Sequence, residues 1–172
     1  MSLAFLVLAL AAPPESENLY RAAKVGDWVE FTSTGASRVV MRQSVTAKTD
    51  EMLTLRMEQT VDGKAGPPFD QAIDLKGAFP PPAKPEADAP FTTTQESLGT
   101  GKEKRTIDGR TYECEWKQER TTFTPTGKGK PMSVVSTVWR CPDVPLGGAV
   151  RIESESNGVK TVTELTGFGR GK

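Results

Sequence analysis

From Gly26 onward, apolar and polar residues alternate with a period of two, and turn-forming residues interrupt the alternation about every ten residues. That pattern belongs to antiparallel strands with one dry and one wet face. It predicts strands over residues 28–32, 38–47, 52–61 and 72–75, then again from 91–94 and onward to the C-terminus. A helical period occurs in "SENLYRAAKV", residues 16–25, where Ser16 can cap and Leu19, Ala22 and Ala23 share a face. Residues 77–90, "GAFPPPAKPEADAP", hold five prolines and cannot join a sheet ladder. They read as a loop or a polyproline spacer.

Two dipeptides have the residues that a two-residue hairpin turn needs at positive φ. A turn at Asn157-Gly158 sets Val150 opposite Leu165 and Ile152 opposite Thr163, with Arg151 facing Glu164 and Glu155 facing Lys160 on the other side. A turn at Asp108-Gly109 sets Thr106 opposite Thr111, Lys104 opposite Glu113 and Lys102 opposite Glu115. Matched charges across each turn agree with the turn chemistry.

A third hairpin crosses the longer "TPTGKGKP" connection. Centred on Gly127-Lys128, it places Cys114 opposite Cys141, Trp116 opposite Trp139, Glu115 opposite Arg140 and Arg120 opposite Val135. Directly opposed cysteines suit a disulfide, and the two indoles would stack beside it. These are the only two cysteines of the chain. They lack the C-x-x-C spacing of a redox pair, so a structural clamp is the favoured reading. Closing such a loop contributes roughly 3 kcal/mol in the chain-entropy model.

The chain has 172 residues, enough for one domain with a core. Its 36% hydrophobic and 26% charged content sets it apart from disordered chains. Basic and acidic side chains balance at 22 each, so no net field draws it to nucleic acid. There is no histidine, which excludes His-based triads and the commonest ligand of zinc, copper and haem. The opening "MSLAFLVLALAA" combines an apolar run, too short to span a bilayer, with a small-x-small cleavage pattern. Residues 1–11 therefore read as a signal peptide and residues 12–172 as one domain; a buried N-terminal strand and a misplaced start remain alternatives. Export places the protein outside the cytoplasm, where a disulfide persists.

Few residues suggest chemistry. "GTGKEK" at Gly99 and "TGKGKP" at Thr126 depart from the phosphate-loop pattern, because Glu96 and Thr122 stand where its first glycine belongs. Glu113 with Glu115, and Glu153 with Glu155, lie two apart on strands, but each has a basic partner across its hairpin. Asp70 and Asp74 have no cleft suggested around them. Met41, Met52, Met57 and Met132 fall at sheet positions and make no metal box. Phe168 in the closing "GFGRGK" can plug the sheet end, with Arg170 and Lys172 as a frayed tail. No catalytic residue, metal site or cofactor is expected.

Two stretches carry a resemblance. "AKVGDWVEF" (23–31) and "VWRCPDVPLGGAVRIES" (138–154) resemble recurring strings of exported bacterial β-rich domains of unknown role. Similar strings occur in lipoprotein-carrier half-barrels of the LolA and LolB type, where a curved antiparallel sheet holds acyl chains. Within the motif Pro142 and Pro145 would fix the turn, and Gly147-Gly148 would let the backbone bend. The resemblance assigns no functional residue. The expected fold is a single all-β, mainly antiparallel domain of about nine or ten strands, curved into a half-barrel or open barrel, with one short N-terminal helix. The expected function is a non-enzymatic exported binding protein. It would hold an apolar ligand, such as a lipid, or a lipidated partner in a concave face lined by Trp28, Val45, Leu55, Ile73 and Trp139. The alternatives are an envelope interaction domain that binds by a sheet edge, and a hydrolase working through carboxylates.

Overall fold

The computed structural model describes residues 18–35, 37–77, 91–107 and 109–171. The expected signal peptide, Ser16 of the expected helix and residues 78–90 of the proline-rich stretch lie outside these. Ten strands form one sheet: β1 (Trp28–Thr34), β2 (Val39–Lys48), β3 (Met52–Val61), β4 (Lys64–Ala65), β5 (Phe69–Asp74), β6 (Phe91–Ile107), β7 (Arg110–Pro125), β8 (Met132–Arg140), β9 (Ala149–Ser156) and β10 (Val159–Gly169). The order is β4-β3-β2-β1-β10-β9-β8-β7-β6, with β5 also on β3, and every pairing is antiparallel. Two meanders, β1 to β5 and β6 to β10, thus run outward from a seam where β1 pairs with β10.

The sheet is not closed, since β6 ends one side and β4 and β5 end the other. It does curl. Tyr112 of β7 meets Phe168 of β10 edge to face at 6.0 Å although β8 and β9 intervene in the order. A flat sheet would hold those strands about 14 Å apart.

The turn chemistry sets the registers as expected. Around Asn157-Gly158 the ladder pairs Ile152 with Thr163, Arg151 with Glu164 and Glu155 with Lys160, and both turn residues have positive φ, 51° and 76°. Thr106, Lys104 and Lys102 oppose Thr111, Glu113 and Glu115. The long hairpin pairs Trp116 with Trp139, Glu115 with Arg140 and Arg120 with Val135. Three strands run further than the alternation indicated: β1 to Thr34, β5 from Phe69, and β6 for 17 residues without a break. β6 absorbs its glycines by a one-residue bulge between Ser97 and Gly99.

The N-terminal helix is not formed over its described part. Residues 18–25 are successive turns, with Arg21 N–H donating to Asn18 O and Ala23 N–H to Tyr20 O. Asn18 accounts for this. Its Oδ1 accepts from Tyr20 N–H at 3.1 Å, while its Nδ2 donates to Asp74 O at 2.7 Å and Gly77 O at 2.9 Å. An Asx turn tied to β5 replaces the helical ladder. The tail also differs from expectation at Arg170, while Lys172 lies outside the described residues. Gly171 N–H donates to Asp27 Oδ1 at 2.8 Å and Arg170 donates to Asp143 O at 2.7 Å, so the chain is held through Gly171.

The core collects at the end of the sheet where residues 18–27 and the 141–148 loop meet it. Leu53, Leu55, Ile73 and Val29 are almost wholly buried there, joined by Cys114 and Cys141.

Candidate functional site

Cys114 and Cys141 form a disulfide with their Cα atoms 4.3 Å apart, as the register required. The indoles beside it take separate partners rather than each other. Trp139 is buried, with the Arg105 guanidinium 4.5 Å from its ring centre. Trp116 lies across β6, where a Cβ on Gly101 would come within 2.6 Å of its Nε1. The glycines of "GTGKEK" are there for that close approach.

The five residues expected to line an apolar cavity lie in different surroundings. Val45 and Leu55 are ladder partners on β2 and β3. Ile73 faces Leu53 across β5 and β3. All three are at most 2% exposed, inside the contiguous core. Trp28 is half-buried under the Arg42 guanidinium at 4.1 Å, and its indole runs along Gly167 and Gly169 of β10. None of the five borders either of the two cavities described next.

The larger cavity, about 700 Å³, opens between the turns at 18–27 and the 141–148 loop. Its walls include Leu19, Ala22, Val144 and Leu146, together with Arg21, Arg140 and Arg170. The second, about 510 Å³, adjoins it at Arg170 and includes Arg110, Tyr112 and Phe168. Sequence reasoning missed this place entirely. Its parts come from two loops, the chain end and separate strands, and alternation along one strand does not show which of them meet.

The carboxylate pairs resolve into cross-strand ion pairs. Lys102 reaches Glu115 at 2.9 Å and Lys104 approaches Glu113 at 3.9 Å. Lys160 faces Glu155 in the ladder but binds Glu153 diagonally, at 2.7 Å. Asp70 holds Arg56 at 3.1 Å on the cross-strand row. Met41 and Met57 pack on the core, while Met52 and Met132 are exposed.

The far half of β6 is the other distinctive region. Residues 91–98 are all exposed and, among the described residues, paired only on the β7 side. Phe91 stacks edge to face on Phe123 at 5.6 Å and is still 45% exposed. Leu98 and Met132 add exposed apolar surface nearby in the ladders. Toward Ile107 the same strand sinks into the core and touches β10.

No family model and no curated protein matches the chain. Among solved structures, the fold is similar to that of a "putative lipoprotein" from Parabacteroides distasonis, with a TM-score of 0.55 at 11% identity. The match covers 91% of this chain and 100% of that one. At that identity the likeness establishes a shared fold. Among the described residues, no helix is long and apolar enough to cross a membrane.

Proposed function

We propose that the protein is a non-enzymatic component of the bacterial cell envelope that binds a protein partner by strand addition to the outer half of β6. One observation carries the reading. Among the described residues, 91–98 present a strand paired on one side only, whose sole charge is Glu96, with Phe91 and Leu98 exposed beside it. An unpaired row of N–H and C=O groups is a template for an extended peptide. The disulfide and the fold shared with a protein described as a "putative lipoprotein" support an extracytoplasmic setting. The competing idea, an apolar ligand inside the sheet, has lost its support. Val45, Leu55 and Ile73 are enclosed by their own neighbours and border neither of the two cavities described.

The test uses adjacent prolines. In an antiparallel ladder, successive N–H groups point to opposite sides. Of Thr93 and Thr94, one donates to β7 and the other outward. A photo-crosslinker at Glu96 in the producing cell identifies the partner, which is then purified. Proline at the outward position is expected to leave folding intact and abolish partner binding. A partner that binds both proline variants as tightly as wild type overturns the proposal, as does the absence of any crosslink at the edge.

A further inference from the structure

The charges of this molecule are distributed unequally. Several guanidiniums on the sheet find carboxylates: Arg56 with Asp70, Arg120 with Glu96, Arg151 with Glu153 and Glu164. At the mouth and wall of the 700 Å³ cavity they do not. Arg140 donates to Gly147 O at 2.9 Å, Arg21 to Leu75 O at 3.0 Å and Arg170 to Asp143 O at 2.7 Å. Each holds a loop carbonyl, and none makes an ion pair with a carboxylate among the described residues. Two carboxylates also border the cavity, but both are committed elsewhere. Asp27 accepts from the N–H groups of Lys24 and Gly171, at 2.9 and 2.8 Å. Glu115 holds Lys102.

A guanidinium has five N–H donors in a fixed fork. Arg140 and Arg170 each use one on a carbonyl, which leaves donors for a ligand oxygen. Burial pushes the Arg140 guanidinium below its ordinary value, and the Tyr20 phenol opposes that shift only in part. The remaining wall is apolar, formed by Leu19, Ala22, Val144 and Leu146. The volume falls within the range of small-molecule sites, roughly 300–1,000 Å³.

We propose that this cavity binds a small amphiphilic oxyanion, with its carboxylate or phosphate on Arg21, Arg140 and Arg170 and its apolar body on Leu19, Val144 and Leu146. The site lies at the opposite end of the β6–β7 hairpin from the proposed docking edge, and its existence does not depend on that reading.

Titration calorimetry of the full chain with octanoate, octyl phosphate, octanol and inorganic phosphate tests it. Octanoate or octyl phosphate is expected to bind saturably, with octanol and inorganic phosphate each at least about tenfold weaker, since one lacks the charge and the other the apolar body. Arg140→Gln is expected to weaken binding by about tenfold. Should that variant fail to fold, Arg21→Gln and Arg170→Gln carry the test, because their side chains are exposed at the rim. Arg56→Gln, on the sheet, is the control and leaves affinity unchanged. Absence of saturable binding, octanol binding as tightly as octanoate, or unchanged affinity in the rim variants overturns the proposal.

Discussion

The two ends of the β6–β7 hairpin share one ladder and differ in everything packed against it. Near the turn, Ile107, Cys114 and Tyr112 meet the bridge to Cys141, the Trp139 ring and Phe168 of β10. Near the open end, Phe91 has Phe123 as its ring partner and stays half in water. Backbone pairing is equally regular at both ends. Pairing therefore decides the path of the chain, and packing decides which part of it is enclosed. A long strand that is core at one end and bare at the other suits a domain that must stay folded while offering an edge.

Large-to-small substitutions test that contrast most forcefully. Leu53 is fully buried within the packed end. Leu53→Ala is expected to lower the unfolding free energy by about 4 kcal/mol, from lost transfer energy plus the cavity left behind. Phe91→Ala deletes a larger side chain, yet is expected to cost no more than about 1 kcal/mol, because its ring is only half withdrawn from water. Urea unfolding of both variants measures the difference. Equal losses would mean that the outer hairpin has packing of its own.

The disulfide comes next. Replacing Cys114 and Cys141 together by serine opens a loop with a sequence separation of 27 and is expected to cost about 3 kcal/mol. The loss should also be local. Amide exchange is expected to quicken around residues 112–116 and 139–141 and to remain unchanged over residues 91–97, which already lie far from the bridge. Exchange that quickens uniformly along β6 would join the two ends into one cooperative unit and remove the distinction between them.

Much of this fold could be read from particular residues. Asn157-Gly158 fixed its register because turn chemistry, apolar facing and charge facing all agreed, and the long hairpin followed from a centring on Gly127-Lys128 that sets the two cysteines opposite each other. Asp62-Gly63, with φ of 47° and 81°, forms the same kind of turn. The two-residue β4 beyond it is too short for alternation to register. The turns at 18–25 were illegible for another reason. Leu19, Ala22 and Ala23 do have helical spacing, but Asn18 is bonded to carbonyls of residues 74 and 77, and a local pattern cannot see partners more than 50 positions away. The arginine-lined cavity escaped on the same ground. Nothing near Arg21, Arg140 or Arg170 in sequence says that they share a wall, or that the carboxylates around them are already engaged.

The weakest expected effect lies between the two ends and separates charge pairing from packing. Lys160 hydrogen-bonds Glu153 at 2.7 Å, and Arg151 adds a second bond at 2.8 Å. These cations, Lys160 foremost, hold the Glu153 carboxyl below its ordinary value of 4.5. A depressed folded value means that the stabilisation is complete above 4.5 and declines as pH falls, because the unfolded chain takes up the proton first. Wild type is therefore expected to lose stability more steeply than Glu153→Gln as pH falls from about 5 to about 3. The difference should stay below about 1 kcal/mol and shrink in high salt, since the group is in partial contact with water. Parallel pH profiles for the two proteins would show that the ion pairs on the sheet orient side chains without stabilising the fold, leaving the buried end to supply nearly all of the stability.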